Sequence, residues 1–158
     1  MTWQAFEASA PLIAEHGRRL LYGGGEGAAM LATVRADLLP RIHPVNVGVM
    51  SGGLYAFLLD SAKRRDLERD GRYAMHALQD PGAPSEFLVR GRALPVTDER
   101  RRSSVATEWY FAVDAQYRLF EFSIETALLG SRPTAEAWPP AYVTWRADGE
   151  EPRSAGPG

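Results

Sequence analysis

The stretch Ser61-Ala62-Lys63-Arg64-Arg65-Asp66-Leu67 sets three cations in a row one residue beyond a serine. Ser61 is a good helix N-cap and Gly71 a good C-terminal stop, so Ser61 to Asp70 predicts a short helix with Lys63, Arg64 and Arg65 in its opening turn. Cations have the wrong sign there. A helix N-terminus carries about half a positive charge and unpaired N–H groups, and acidic side chains are favoured by roughly 0.3–1 kcal/mol each. A bound phosphate reverses that balance, held by backbone N–H groups, the Ser61 hydroxyl and the cationic ends of Lys63 and Arg65. The same residues also read as a solvated helix whose cations are offset by Asp60, Asp66, Glu68 and Asp70.

A second run, Pro40-Arg41-Ile42-His43-Pro44-Val45-Asn46-Val47, is unusual for a strand inside a sheet. Pro44 has no amide hydrogen to donate, so it marks an edge or a bulge where polar backbone groups become available to a ligand. His43 can contact a phosphate or a ring, and Asn46 can bond to a ring carbonyl. Each also reads as a surface or internally satisfied polar residue. The three histidines, His16, His43 and His76, fall on separate elements without metal-ligand spacing. The absence of cysteine excludes disulfides, thiolate catalysis and cysteine-bound metals.

The elements that must position these residues belong to one domain, given 158 residues of which 45% are hydrophobic and 24% charged. A formal net charge of −2 argues against nucleic-acid binding, despite the basic clusters Lys63 to Arg65 and Arg100 to Arg102. No apolar window is long enough to span a membrane and the start lacks a secretory layout, so a cytoplasmic protein is expected. Trp3, Phe6, Ala10, Ile13 and Leu20 recur at helical spacing, and Pro11 divides the segment into two short helices. Alternating or apolar runs then predict six strands: Ala28 to Arg35, Arg41 to Met50, Leu54 to Leu59, Arg72 to Leu78, Glu86 to Val96, and Arg118 to Ile124. Ser51, Gly52 and Gly53 make a hairpin link, and a helix capped by Thr97 runs from Asp98 to Ala106. Beyond Ile124 the prolines at 133, 139 and 140 read as loop, Tyr142 to Trp145 as a last short strand, and 147 to 158 as a mobile polar tail after a domain of residues 1 to 146.

Taken in order, Leu31 to Asp37, Pro40 to Pro44, the Gly-Gly-Leu-Tyr hairpin at 52 to 55, Ser61 to Leu67, Arg72 to His76 and Glu86 to Ala93 resemble the pyridoxamine 5'-phosphate oxidase-like, FMN-binding family. The resemblance covers residues 28 to 96 and is carried by the order of the motifs. It implies a mainly β fold with flanking helices, a six-stranded antiparallel split β-barrel, forming a homodimer with two flavin sites at the interface. By the same resemblance Ser61, Lys63, Arg64 and Arg65 hold the flavin phosphate, and His43, Pro44, Val45 and Asn46 line the ring. Backbone around Phe57 joins them, Glu86 reaches the cofactor from the partner subunit, and Trp145-Arg146 matches a late element of some relatives. Leu38 and Leu39 depart from the glycine turn of the family, and nothing near the C-terminus matches the substrate-binding element of true pyridoxamine phosphate oxidases. The expected function is therefore an FMN-dependent oxidoreductase acting on a small molecule. The alternatives are a reductase using the deazaflavin coenzyme F420 and a protein that binds a cofactor without turnover.

Overall fold

The structure, a computed structural model, describes residues 1–148, so most of the tail expected over 147 to 158 lies outside the described residues. Helices α1 (Trp3–Ser9) and α2 (Pro11–Leu21) meet at Ala10, with Thr2 capping the first and Pro11 in the opening turn of the second, where its missing N–H costs nothing. They are followed by β1 (Ala28–Val34), β2 (Pro40–Asn46), β3 (Gly48–Met50), β4 (Gly53–Leu58), α3 (Ala62–Arg69), β5 (Arg72–Ala77), β6 (Glu86–Pro95), α4 (Glu99–Glu108), β7 (Arg118–Ser131) and β8 (Ala141–Arg146). Asp98, rather than the expected Thr97, caps α4, accepting from the Arg101 N–H at 2.9 Å.

All strands pair antiparallel in the order β2-β1-β5-β6-β7-β4-β3, with β8 added alongside β7. The described residues form eight strands where six and a last short one at Tyr142 to Trp145 were expected, and two local departures shape the difference. The predicted strand Arg41 to Met50 breaks at Val47, whose N–H donates to the Gly27 carbonyl at 2.9 Å. A Cβ on Gly27 would lie 2.1 Å from the Val47 oxygen, so only glycine permits this crossing. The break sends β2 to one end of the sheet and β3 to the other. The predicted strand ending at Ile124 instead continues to Ser131, because the β6–β7 register skips Glu125 and lets Ala127 and Leu129 face inward again after Phe120, Phe122 and Ile124. Its extended half then receives β8.

The sheet curls into an open half-barrel. β2 and β4 approach each other, yet no backbone pairing joins them. Ser51 and Gly52, both at positive φ, form the tight turn between β3 and β4. The inner face packs on the two N-terminal helices through Trp3, Phe6, Leu31, Met75, Phe87, Val89 and Phe122. Phe87 stands edge-on to Trp3 at 6.2 Å, and its ring occupies the space a side chain on Gly17 would need, 2.4 Å from that position. A second cluster under α4 joins Tyr55, Phe57, Val105, Trp109 and Leu119. No helix among the described residues is long and apolar enough to cross a membrane.

Replacing Phe87 with alanine removes the ring that locks α2 to the sheet, at an expected cost of about 3–5 kcal/mol. Thermal denaturation followed by circular dichroism is expected to show a fall of about 10 °C, and a fall below about 2 °C would mean that this contact does not bind the helices to the sheet.

Candidate functional site

The opening turn of α3 sits beside the unpaired edge of β2. Ser61 caps the helix, its Oγ accepting the Arg64 N–H at 3.4 Å. The N–H groups of Ala62 and Lys63 precede the first intrahelical bond and face outward from it. Lys63 donates through Nζ to the Pro44 carbonyl at 2.9 Å, tying helix to strand. Partial burial pushes its ammonium pKa down. One of its three protons is used, so two are left for a ligand.

The other two cations of the turn diverge. Arg64 turns away, bonding Glu68 at 3.0 Å and the Gln116 carbonyl at 3.3 Å. Glu68 also receives Arg118 at 2.8 Å, and these two hydrogen bonds, that from Arg118 being the stronger, hold its carboxyl below the usual range. Arg65 bonds Asp60 at 2.7 Å, but both side chains are mostly exposed, and such a pair contributes little and yields readily to a stronger anion.

β2 splits the remaining expected residues between its two faces. Arg41, His43 and Val45 turn toward the interior, whereas Ile42, Pro44 and Asn46 are exposed. His43 and Asn46 therefore do not converge. His43 leaves its Nε2 buried without a partner, and Asn46 stands on the open side. The Phe57 side chain is buried edge-on to Trp109 at 5.1 Å, so only its backbone is available. That backbone pairs with Leu119 on one side, and beyond Tyr55 nothing pairs with the other edge of β4 among the described residues. Glu86 begins β6, three strands from β2 and hence about 14 Å away across the sheet. Within one chain it does not join the group, and among the described residues its Oε1 accepts only from Gln79, at 3.4 Å.

Four arginines that the sequence did not single out as a group converge with the helix. Arg35, Arg41, Arg65 and Arg69, together with Ala62, Asp37 and Asp66, surround a cavity of about 360 Å³. Among the residues that line it is Asp66, a carboxylate 4% exposed. Oδ2 accepts from Thr33 Oγ1 at 2.9 Å and from Arg41 Nε at 2.8 Å, and Oδ1 lies 3.4 Å from Arg69. Arg69 also donates to the Val34 carbonyl. Burial pushes the Asp66 carboxyl up, but the hydrogen bonds from Arg41 and Thr33 outweigh it and hold the group below its ordinary range. The clue in the sequence was spacing: Asp66 lies four residues after Ala62 and next to the apolar Leu67, on the inward side of α3, where a carboxylate needs donors.

A curled, open antiparallel sheet with an unpaired edge strand beside a cationic helix start defines a split barrel. No protein family and no curated protein matches the chain by sequence. Solved structures share its fold. A pyridoxamine 5'-phosphate oxidase-related, FMN-binding protein from Nostoc punctiforme PCC 73102 superposes with a TM-score of 0.69 at 12% identity, covering 96% of this chain and 97% of that one. PhzG from Burkholderia lata 383, solved with tetrahydrophenazine-1-carboxylic acid, gives 0.64 at 12% identity over 94% of each chain. A heme binding protein from Mycobacterium smegmatis gives 0.58 at 20% identity over 82% of this chain and 57% of that one. At such identities the likeness establishes the fold.

Because the folded Asp66 carboxyl titrates below its unfolded value near pH 3.9, its contribution to stability is complete above that pH and is lost as pH falls through the lower folded pKa. Asp66→Asn is expected to cost about 3 kcal/mol at pH 7. The gap between wild type and variant should narrow below about pH 4, as measured by urea denaturation across pH; a gap that stays constant would show that Asp66 is not ionised in the fold.

Proposed function

We propose that this chain binds FMN and serves as an oxidoreductase for a small molecule, working as a homodimer. The observation that carries the reading is the juxtaposition of the α3 opening turn and its arginine-lined cavity with the unpaired edge of β2. The donor set fits a phosphate: the Ser61 hydroxyl, free N–H groups of Ala62 and Lys63, two ammonium protons of Lys63, and guanidinium groups of Arg41 and Arg65. Arg41 uses only Nε internally, and its terminal nitrogens have no partner among the described residues. The ring would lie over the edge strand at Pro44 and Asn46, near the open backbone edge of β4 at Phe57. His43 and Val45 support that strand from beneath rather than lining the ring. Arg64 is spoken for by Glu68 and the Gln116 carbonyl, so its role is to hold the 114–117 loop against the helix.

When bound, the flavin supplies the two-electron chemistry, and the protein supplies position and charge. Lys63 and Arg41 neutralise the phosphate. Pro44, with no N–H, keeps the strand edge from recruiting another strand in place of the ligand.

Two observations support a dimer. The outer face of the sheet carries a row of apolar side chains, Pro44, Met30, Leu88 and Leu128, interrupted by His76 and aligned across β2, β1, β5, β6 and β7. Ile42 and Leu78 extend it and are 63% and 49% exposed. Glu86 stands beside this row on the same face, where it would reach the partner's site and not its own.

Titration of the purified protein with FMN, followed by flavin fluorescence, is expected to show saturable binding that Lys63→Glu weakens at least about tenfold without altering the melting temperature, because a repelling charge replaces an attracting one. Equal affinity in the variant would remove the anion seat from the account. Parallel titration with the deazaflavin decides between the two cofactors. Faster reoxidation of the bound, reduced flavin by a small-molecule acceptor than of free flavin supports turnover, and equal rates support a binding protein. Leu88→Glu is expected to convert the dimer to monomers in light scattering, and an unchanged mass would place the interface elsewhere.

A further inference from the structure

The Arg41 side chain could reach the cavity in many orientations, since it has four rotatable bonds and begins on the inward face of an edge strand. Its guanidinium is nevertheless held at one corner. Nε donates to Asp66 Oδ2 at 2.8 Å, and the same oxygen receives Thr33 Oγ1 at 2.9 Å. A guanidinium is planar, so holding Nε–H on an acceptor restricts its rotation and leaves the end of the fork, the terminal N–H groups that point away from Cδ, open to another acceptor. Arg41 and Asp66 both line the cavity, and the terminal nitrogens of Arg41 have no partner among the described residues. Asp66 itself is tethered on several sides: its residue is 4% exposed, it sits in the middle of α3, and Arg69 reaches its other oxygen while also bonding the Val34 carbonyl. The carboxylate thus spans β1 through Thr33, β2 through Arg41 and α3 through its own backbone.

We propose that Asp66 is the positioning residue of the anion seat, aiming the Arg41 fork at the phosphate without touching the ligand. The inference rests on the flavin-phosphate reading given above, and it adds a specific dependence. Affinity for a phosphorylated ligand depends on the acceptor that Asp66 provides, and affinity for the same ring without phosphate does not. A carboxylate that merely held the fold together would affect both ligands alike. Thr33 supplies the internal control, because it bonds the same oxygen but has no link to the guanidinium.

The experiment measures dissociation constants of FMN and of riboflavin for the full chain and for Asp66→Asn, Thr33→Val, Arg41→Met and the double variant Asp66→Asn/Arg41→Met, each checked for folding by circular dichroism at the assay temperature. Asp66→Asn is expected to weaken FMN about tenfold while leaving riboflavin within about twofold. Thr33→Val should leave the ratio of the two affinities unchanged. With Arg41 already replaced by methionine, removing the carboxylate as well should alter FMN affinity by less than about twofold, since no fork is left to aim. The phosphorus resonance of bound FMN should shift in Asp66→Asn and stay put in Thr33→Val. Should Asp66→Asn fail to fold, Asp66→Glu takes its place, keeping the charge but displacing the acceptor by one methylene, with the same loss of FMN over riboflavin expected. Equal weakening of both ligands, or of neither, overturns the positioning role. If wild type itself shows no preference for FMN over riboflavin, the phosphate reading fails instead, and the two failures are distinguishable.

Discussion

An edge strand that is prevented from finding a neighbour is the constraint on which this molecule is built. β2 pairs with β1 along one side only. On its free side Pro44 lacks the N–H that a further strand would need, and at Val47 the chain leaves the ladder altogether, its amide drawn to the Gly27 carbonyl. The following residues run on to the far end of the sheet. Two glycines make this departure possible, since a side chain on Gly27 would strike the Val47 oxygen and one on Gly48 would lie 2.4 Å from Met50 and 2.6 Å from Trp109. The sheet therefore cannot close, and its two ends face each other across a gap. An exposed edge is a liability for aggregation, and proteins keep one open only by blunting it or covering it. Here proline blunts it, and the start of α3 stands beside it with Lys63 bonded across to the strand.

The electrostatics of α3 follow from that neighbourhood. Its first turn has cations and no acid, the reverse of what the helix dipole favours. Its interior, in contrast, buries a carboxylate that is fully answered by donors from two strands and from its own last turn. The arrangement separates the two signs in space, with negative charge inside, where it binds the helix to the sheet, and positive charge outside and at the tip. Removing Asp66 would strand Arg41 and Arg69, whereas Arg65, whose partner Asp60 is exposed, contributes little to the fold.

Much of this was legible in the residues because it depends on local rules. Alternation exposed the strands, the proline and glycine positions exposed the turns, and a serine before three cations exposed the start of α3. What escaped depends on contacts between distant segments. Val47 and Gly48 continue an apolar run, so nothing in their own neighbourhood announces a break that is decided by Gly27, twenty positions earlier. The continuation of β7 was hidden by Glu125, because a bulge shifts the alternation by one and makes the following Ala127 and Leu129 look out of phase. Asp66 was visible as one of several charges offsetting the cations, but its burial depends on Thr33 and Arg41, which only the folded sheet brings beneath the helix. His43 and Asn46 were grouped as site residues by proximity in sequence, although three positions apart on a strand means opposite faces.

The same period-two geometry bears on how a flat cofactor would meet this surface. On β2 the outward side chains are Ile42, Pro44 and Asn46, two of them apolar and one able to both donate and accept, while the backbone edge supplies the remaining polar groups. A ring set there finds apolar contact on its face and hydrogen bonds at its rim, the combination typical of small-molecule sites. Its far side would stand open to solvent in a single chain. Covering it calls for a surface that is apolar and bears an acidic group near its margin, and the outer sheet face, with Met30 and Leu88 beside Glu86, has that composition. On the proposed reading one chain would carry the two halves of a site in places too far apart to meet, and a twofold pairing of two chains would bring each half to the other.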